Sequence, residues 1–321
     1  MEPEKPRSAP ARVIDATRKG AKAALGTSWF LLRIMVPVSL AVALLGWSGA
    51  LEYVARFLKP VMGLMGLPGE AALAFISGAL LNNYSAIAVM GSLSLDMRDV
   101  TILAMMSLTA HNLLIETTVM RKIGSSAAKM LLLRVSMALV SGFVFNLILP
   151  ASLSKMPFSV AASASRPVFL DMLGAWAVAT LILVAKIGVI VLIIMIAQRL
   201  LEEFRVMGVL SRVFAPLMRV FGLSRESSFL WIIINVVGYA YGAGVIEEQI
   251  ESGRMKRTDG DLFNHHAAIC HSLLEDTALY MALGVPMFWI TVPRIVLAIV
   301  VVWAERGRRH YFRRSFRAGV A

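Results

Sequence analysis

Two short runs of polar residues interrupt otherwise apolar stretches of this chain. One holds His111, Asn112, Glu116 and Thr117; the other holds His271, Ser272, Glu275, Asp276 and Thr277. A carboxylate near the centre of a membrane helix costs roughly 2.5–3.5 kcal/mol on insertion scales. Both runs are therefore expected to face protein or water rather than lipid. Acids grouped in such a place can bind a cation, titrate as protons move, or accept hydrogen bonds from ligand hydroxyls, and the histidines can do the last two. The plainer alternative is that equivalent polar residues bond to one another and fix the packing. Each histidine and its matched acid are five residues apart, which on an unbroken helix sets them about 140° apart. Local unwinding between them would bring both to one cavity, whereas Asn112 with Glu116, and His271 with Glu275, share a face without it. Arg134 and Arg294 stand in apolar spans at matching places. A buried guanidinium without a partner is too costly to keep, so each is expected to pair with an acid of its own half or of the other.

Other chemistry is poorly represented. His266 and Cys270 have the i,i+4 spacing of helical metal ligands, next to Asn264 and His265, but no second pair supports them. The aligned stretch upstream offers Ala104, Met105, Met106 and Ala110 instead, so no metal site is assigned. Cys270 is the single cysteine, which excludes an internal disulfide. The chain has no phosphate-cradling Gly-Lys-Ser/Thr loop, no His-Glu-x-x-His and no Gly-x-Ser-x-Gly, so neither enzymatic activity nor a cofactor is expected.

The elements that must carry these residues read as membrane helices. Hydrophobic residues make up 58% of the chain and charged residues 16%, with a mean hydropathy of +0.73; a soluble domain carries about 25% charged residues. Apolar runs such as 29–47, 130–149 and 173–197 are long enough to cross a hydrocarbon core of about 30 Å. Their unbroken apolarity, without period-two alternation, excludes a β-barrel. The formal net charge of +12 sits in clusters beside the spans, where the positive-inside rule puts it. The expected partner is therefore the lipid bilayer and not nucleic acid. Glu2, Glu4 and the early prolines argue against a cleaved secretory signal.

The chain also repeats. His111-Asn-Leu-Leu-Ile-Glu-Thr117 returns as His271-Ser-Leu-Leu-Glu-Asp-Thr277, and at the same offset of 160 Gly124 pairs with Gly284 and Arg134 with Arg294. Upstream, Arg56, Pro60, Met62, Gly66, Leu67 and Glu70 match Arg212, Pro216, Met218, Gly222, Leu223 and Glu226 at an offset of 156. Each half then holds a long span, an amphipathic segment, a Gly/Asn/Ser/Tyr-rich stretch, a polar-studded span and a closing apolar span. The division expected is a basic cytoplasmic tail over 1–27, a first repeat over 28–150, an external connector over 151–172, a second repeat over 173–305 and a basic cytoplasmic tail over 306–321. The Gly-rich stretches, 70–93 and 226–250, can cross the membrane or turn back as re-entrant hairpins. Turning back leaves only Arg56, Lys59, Arg98, Lys155 and Arg166 opposite the N-terminus. Crossing instead scatters the basic clusters over both sides. The expected fold is an all-α polytopic membrane protein of two inverted repeats, each with about three transmembrane helices, an interfacial helix and a re-entrant hairpin. Inverted repeats with broken helices and a midplane site are the recurring design of secondary transporters.

Both polar runs, with the Gly-rich stretch before each, resemble the nucleoside-recognition Gate domain superfamily. Its members include spore-maturation membrane proteins, the membrane part of bacterial ferrous-iron permeases and concentrative nucleoside transporters. The resemblance covers most of residues 30–305 in two copies. The chain lacks the Gln-Thr-Glu hairpin signature of the nucleoside transporters and the gate cysteines of the iron permeases, so the nearest branch is the spore-maturation-like one. The resemblance implies a substrate site between hairpins and unwound spans. Asn82, Asn83, Tyr84 and Ser85 would lie at the first hairpin tip, and Tyr241, Gly242, Gly244 and Glu247 at the second. The runs 111–117 and 271–277 would be the unwound segments. The leading expectation is an inner-membrane permease for a small polar solute or ion, nucleoside-like among the options. The alternative is a non-transporting scaffold. Its basic residues, among them Arg205, Arg212 and Arg219, would bind anionic lipid, a membrane-protein partner or a second copy of the chain.

Overall fold

In the computed structural model, residues 8–155 and 168–318 are described, and among them every regular element is helical. The first half runs α1 (Ala9–Ser48), α2 (Ala50–Leu64), α3 (Ala71–Leu80), α4 (Asn83–Met90), α5 (Met97–Ala110), α6 (Leu113–Ile123) and α7 (Ala127–Ile148). The second runs α8 (Phe169–Glu203), α9 (Val206–Phe214), α10 (Leu217–Val220), α11 (Ser228–Val236), α12 (Tyr239–Glu251), α13 (Arg257–Ala267), α14 (Leu273–Met281) and α15 (Met287–Ala318). Among the described residues, five helical segments are long and apolar enough to cross a membrane: α1, α5 with α6, α7, α8, and α15 as far as Tyr311. The pair α13–α14 follows the pattern of α5–α6 but is not among these five, its two helices being separated by residues 268–272. Outward side chains on the long helices are apolar: Leu147, Leu181 and Ile193 are 68%, 70% and 62% exposed. Such a surface is stable against lipid and not against water.

The two halves match in backbone conformation as well as in sequence. Among the described residues with positive φ, all but Gly238 and Gly253 fall in pairs at the two offsets: Gly49 with Arg205, Gly66 with Gly222, Asn112 with Ser272, and Gly124 with Gly284. These positions end helices in the same way. Leu67 N–H bonds to Met62 O at 3.0 Å and Leu223 N–H to Met218 O at 2.8 Å. Ser125 N–H bonds to Met120 O and Val285 N–H to Tyr280 O, both at 3.1 Å. Six-residue closures of this kind satisfy carbonyls that a helix end leaves open.

The Gly-rich stretches fold back on themselves. Helix α3 packs against α4, and α11 against α12. At ten and eight residues, α3 and α4 are about 15 and 12 Å long, each well short of the bilayer core. Asn82 starts α4 by accepting a hydrogen bond from Ser85 N–H at 2.9 Å. In the second hairpin the turn falls at Val237–Gly238, where Gly238 has φ 108°. Gly242, Gly244 and Glu247, expected at that tip, lie within α12 instead; the glycine that supplies the left-handed turn is the earlier one. Asp96 and Asp99 form a reciprocal cap at the start of α5, which leads from the first hairpin into the buried centre. Every residue of α5 from Val100 to Ala110 is buried.

The expected boundaries shift in three places. Residues 9–27 are no separate tail but the first turns of α1, with Ala16, Gly20 and Ala24 buried. Helix α8 begins at Phe169, inside the expected connector, of which 156–167 lie outside the described residues. Helix α15 continues to Ala318 without a break. Helices α1 and α8 run antiparallel along their length. Arg12 Nε is 2.7 Å from Glu203 Oε1, Trp176 Nε1 donates to Ser39 Oγ at 3.2 Å, and Trp47 meets Phe169 edge to face at 5.1 Å.

Candidate functional site

Each polar run sits where a central helix breaks. Asn112 takes φ 49°, ψ 38° between α5 and α6, and Ser272 takes φ 52°, ψ 35° between α13 and α14. Both backbone N–H groups at the breaks are held by the adjacent hairpin: Asn112 N donates to Gly78 O at 3.0 Å and Ser272 N to Ile234 O at 2.8 Å. Glu116 and Asp276 fall in the first turns of α6 and α14, where the N-terminal helix dipole favours a negative charge. The break also closes the angle between His111 and Glu116, whose Nε2 and Oε1 lie 3.3 Å apart.

The two buried arginines brace the breaks, each within its own half. Arg134 donates from Nε to Thr109 O at 3.0 Å and from Nη2 to His111 O at 2.8 Å, while Nη1 lies 2.6 Å from Glu116 Oε2. Arg294 donates from Nη2 to His271 O at 2.6 Å and stands 3.6 Å from Asp276 Oδ2. Each guanidinium thus ties the carbonyl end of one half-helix to the acid that begins the next. Both side chains are fully buried.

The halves meet at the histidines. His111 Nε2 and His271 Nε2 are 3.2 Å apart, and Glu116 Oε1 is 3.4 Å from His271 Nε2. Around this centre the first hairpin reaches the second broken helix: Asn83 Nδ2 donates to Asp276 Oδ1 at 3.0 Å and Tyr84 OH to Glu275 Oε1 at 2.5 Å. Asn83 Oδ1, Thr117 Oγ1 and Thr277 Oγ1 are buried without a hydrogen-bond partner. Ser85 Oγ stays local, bonding to Asn82 Oδ1 at 3.1 Å. Gly242 is buried against Ile234, while Gly244 is exposed on the outer face of α12. The side chain of Tyr241 lies outside the described residues. The cluster is closed. Clefts occur elsewhere, one of about 440 Å³ lined by Arg12, Lys19, Arg199 and Glu203, another by Asp261, Glu305 and Arg309.

Tyr239 belongs to this centre and escapes the sequence reading. Its ring lies 5.5 Å from that of His271, and its hydroxyl donates to Asn264 Oδ1 at 2.8 Å. Asn264 in turn donates to Ser125 Oγ at 2.9 Å in the other half. The offset of 156 aligns Tyr239 with Asn83, and that is the signal that points to it. His266 is packed rather than ligating: Nε2 accepts from Trp231 Nε1–H at 2.9 Å and the ring stacks on Phe221 at 5.1 Å. Ligand-type atoms do converge at His111, Glu116 and His271, all within 4.8 Å of one another. They come from both halves, so a search for spacings within one helix cannot find them.

An all-helical chain with several lipid-compatible spans and a buried polar centre is a polytopic membrane protein. It belongs to the nucleoside-recognition Gate family, whose profile matches residues 28–176. The chain is 32% identical over 287 residues to the uncharacterized membrane protein YvoD of Bacillus subtilis (strain 168), a match covering 89% of this chain and 92% of that protein. No solved structure matches it.

Proposed function

We propose that this protein is a permease of the cytoplasmic membrane, with both termini cytoplasmic, that carries a small polar solute or ion through the His111–Glu116–His271 centre. The observation that carries the reading is the pair of matched helix breaks, each presenting ionisable side chains to a buried point shared by both halves. Irregular backbone at membrane depth is tolerated where it is buried in protein or lines a cavity, and transporter sites are built on it. Inversion of the halves is supported by the antiparallel course of α1 and α8. It is supported again by the ion pair of Lys129 Nζ with Glu305 Oε2 at 2.8 Å, which joins the start of α7 to the far part of its counterpart α15. Because the centre is closed, passage requires the hairpins to move relative to the broken helices.

Two measurements test this. Single cysteines placed over 121–129 and 200–225 are expected to label from the same side of the membrane as the N-terminus; labelling from opposite sides ends the inverted reading. For function, Glu116 and Asp276 are neutralised together with their arginines, so that no buried charge is left alone, and uptake is measured for a panel of solutes headed by nucleosides. Uptake present in the parent and at least tenfold lower in the variant is expected. Unchanged uptake removes these acids from the mechanism. The alternative, a non-transporting scaffold, draws on the tight closure of the centre. It predicts no flux of any solute, together with a membrane-protein partner lost when the basic end of α15 is deleted.

A further inference from the structure

We propose that the central triad of His111, His271 and Glu116 binds a divalent first-row transition-metal ion. The inference names a ligand class for the same cluster and rests on the reading of that cluster as a binding site, but it does not depend on flux.

The argument begins with the imidazole tautomers. His111 Nδ1 lies 3.0 Å from Ser107 O, and His271 Nδ1 lies 2.6 Å from Ala267 O. A carbonyl oxygen can only accept, so each Nδ1 carries a hydrogen, and in the neutral ring Nε2 then presents a bare lone pair. Those two lone pairs face each other at 3.2 Å, and the third group between them, Glu116 Oε1, is also an acceptor. With both rings neutral, three acceptors converge on one point with no donor among them, and they repel unless a proton or a metal ion lies between them.

Distance decides which cation. Charge-assisted hydrogen bonds through a shared proton draw the heavy atoms to about 2.7–2.9 Å. A metal held at about 2.0–2.1 Å by nitrogen or oxygen in tetrahedral geometry sets its ligands about 3.3–3.4 Å apart. The observed edges are 3.2, 3.3 and 3.4 Å, a nearly equilateral triangle that fits one face of such a tetrahedron. The surroundings agree. The Nδ1–H to carbonyl bonds are those that orient metal-bound imidazoles. Arg134 occupies Glu116 Oε2 and leaves Oε1 to the centre. Two imidazoles with one carboxylate suit ions such as zinc, cobalt or iron(II) rather than magnesium or calcium. Three protein donors rather than four is the ligand count of sites that exchange a fourth ligand.

A second convergence of ligand-type groups, Asp261, His265 and Glu305, lacks this character. Lys129, Arg308 and Arg309 each reach Glu305 at 2.8 Å, and Arg309 also pairs with Asp261. Three cations already neutralise two acids there.

The test uses the full chain in detergent, purified without a polyhistidine tag and stripped with chelator. Cobalt(II) is titrated while the visible d–d absorption is followed, and zinc is then added as competitor. One equivalent of cobalt with the intense spectrum of four-coordination, displaced by zinc, is expected. His111→Gln and His271→Gln should each weaken binding at least 100-fold, whereas His265→Gln should leave it unchanged. Absence of the spectrum in folded parent protein, or its survival in both triad variants, overturns the site. Should those variants fail to fold, X-ray absorption of the zinc-loaded parent decides: two imidazoles on the metal support the site, and none overturns it. Cobalt binding without solute uptake would sink the permease reading alone, and uptake without cobalt binding would sink the metal site alone.

Discussion

Glu116→Gln is expected to cost about 3–5 kcal/mol of stability, the range for removing one partner of a buried ion pair. Arg134 is fully buried and, among the described residues, its only anionic partner in reach is Glu116, at 2.6 Å. A neutral amide in its place leaves a guanidinium charge in a low-dielectric centre. The cost should fall by more than half in the double variant Glu116→Gln/Arg134→Gln. The charge then leaves with its partner, and a glutamine amide can still donate to the carbonyls of Thr109 and His111. Asp276→Asn is expected to cost less, because Arg294 stands 3.6 Å from Asp276 whereas Arg134 stands 2.6 Å from Glu116. Denaturant titration of the purified protein in detergent checks the order. Equal costs for Glu116→Gln and Asp276→Asn, or a double variant no more stable than the single one, would show that pairing does not set the energetics of the breaks.

The part of this arrangement that is local was legible in the sequence. Carboxylates and arginines in apolar spans have to pair, so the sequence called for partners for Arg134 and Arg294 but left open whether each takes the acid of its own half or of the other. A break between His111 and Glu116 was one of two arrangements that helix geometry allowed, the other being a shared face for Asn112 and Glu116, and Asn112 is a residue that tolerates left-handed backbone. Ser272 does not favour that conformation. Its break is readable only through its alignment with Asn112, since the strain is carried by the surrounding packing and the bond from its N–H to Ile234 O. What could not be read are the contacts that cross between halves: Asn83 on Asp276, Tyr84 on Glu275, and the two histidines on each other. Periodicity fixes which face a residue takes on its own helix but not the depth or rotation at which two helices meet. The same limit misplaced the second hairpin tip: Gly238, Gly242 and Gly244 look equivalent in sequence, and only the fold shows that the first turns the chain, the second admits a neighbour and the third faces outward.

Gly78→Ile is expected to destabilise the protein by about 3 kcal/mol, the upper end of the overpacking range. A Cβ at residue 78 would stand 2.9 Å from Ala86 Cβ and 3.0 Å from Ser107 Oγ. Helix α3 can yield only by moving off α4 and α5, which pulls Gly78 O from Asn112 N–H and disturbs the first break. The second half contains the remedy. Its residues equivalent to Gly78, Ala86 and Ser107 are Ile234, Gly242 and Ala267. There the bulk sits on the first arm of the hairpin, and the glycine that makes room for it sits on the second. A Cβ on Gly242 would meet Ile234 Cγ2 at 2.4 Å, so the two positions trade volume. The triple variant Gly78→Ile/Ala86→Gly/Ser107→Ala should therefore recover most of the loss, short of about 1 kcal/mol for placing glycine inside α4. Thermal unfolding of the single and triple variants in the same detergent measures this. A triple variant as unstable as Gly78→Ile would mean that the two hairpins, though aligned in sequence, seat against their broken helices in different ways. Recovery would show that the hairpin-to-break joint is one packing solution used twice, with its large and small residues exchanged.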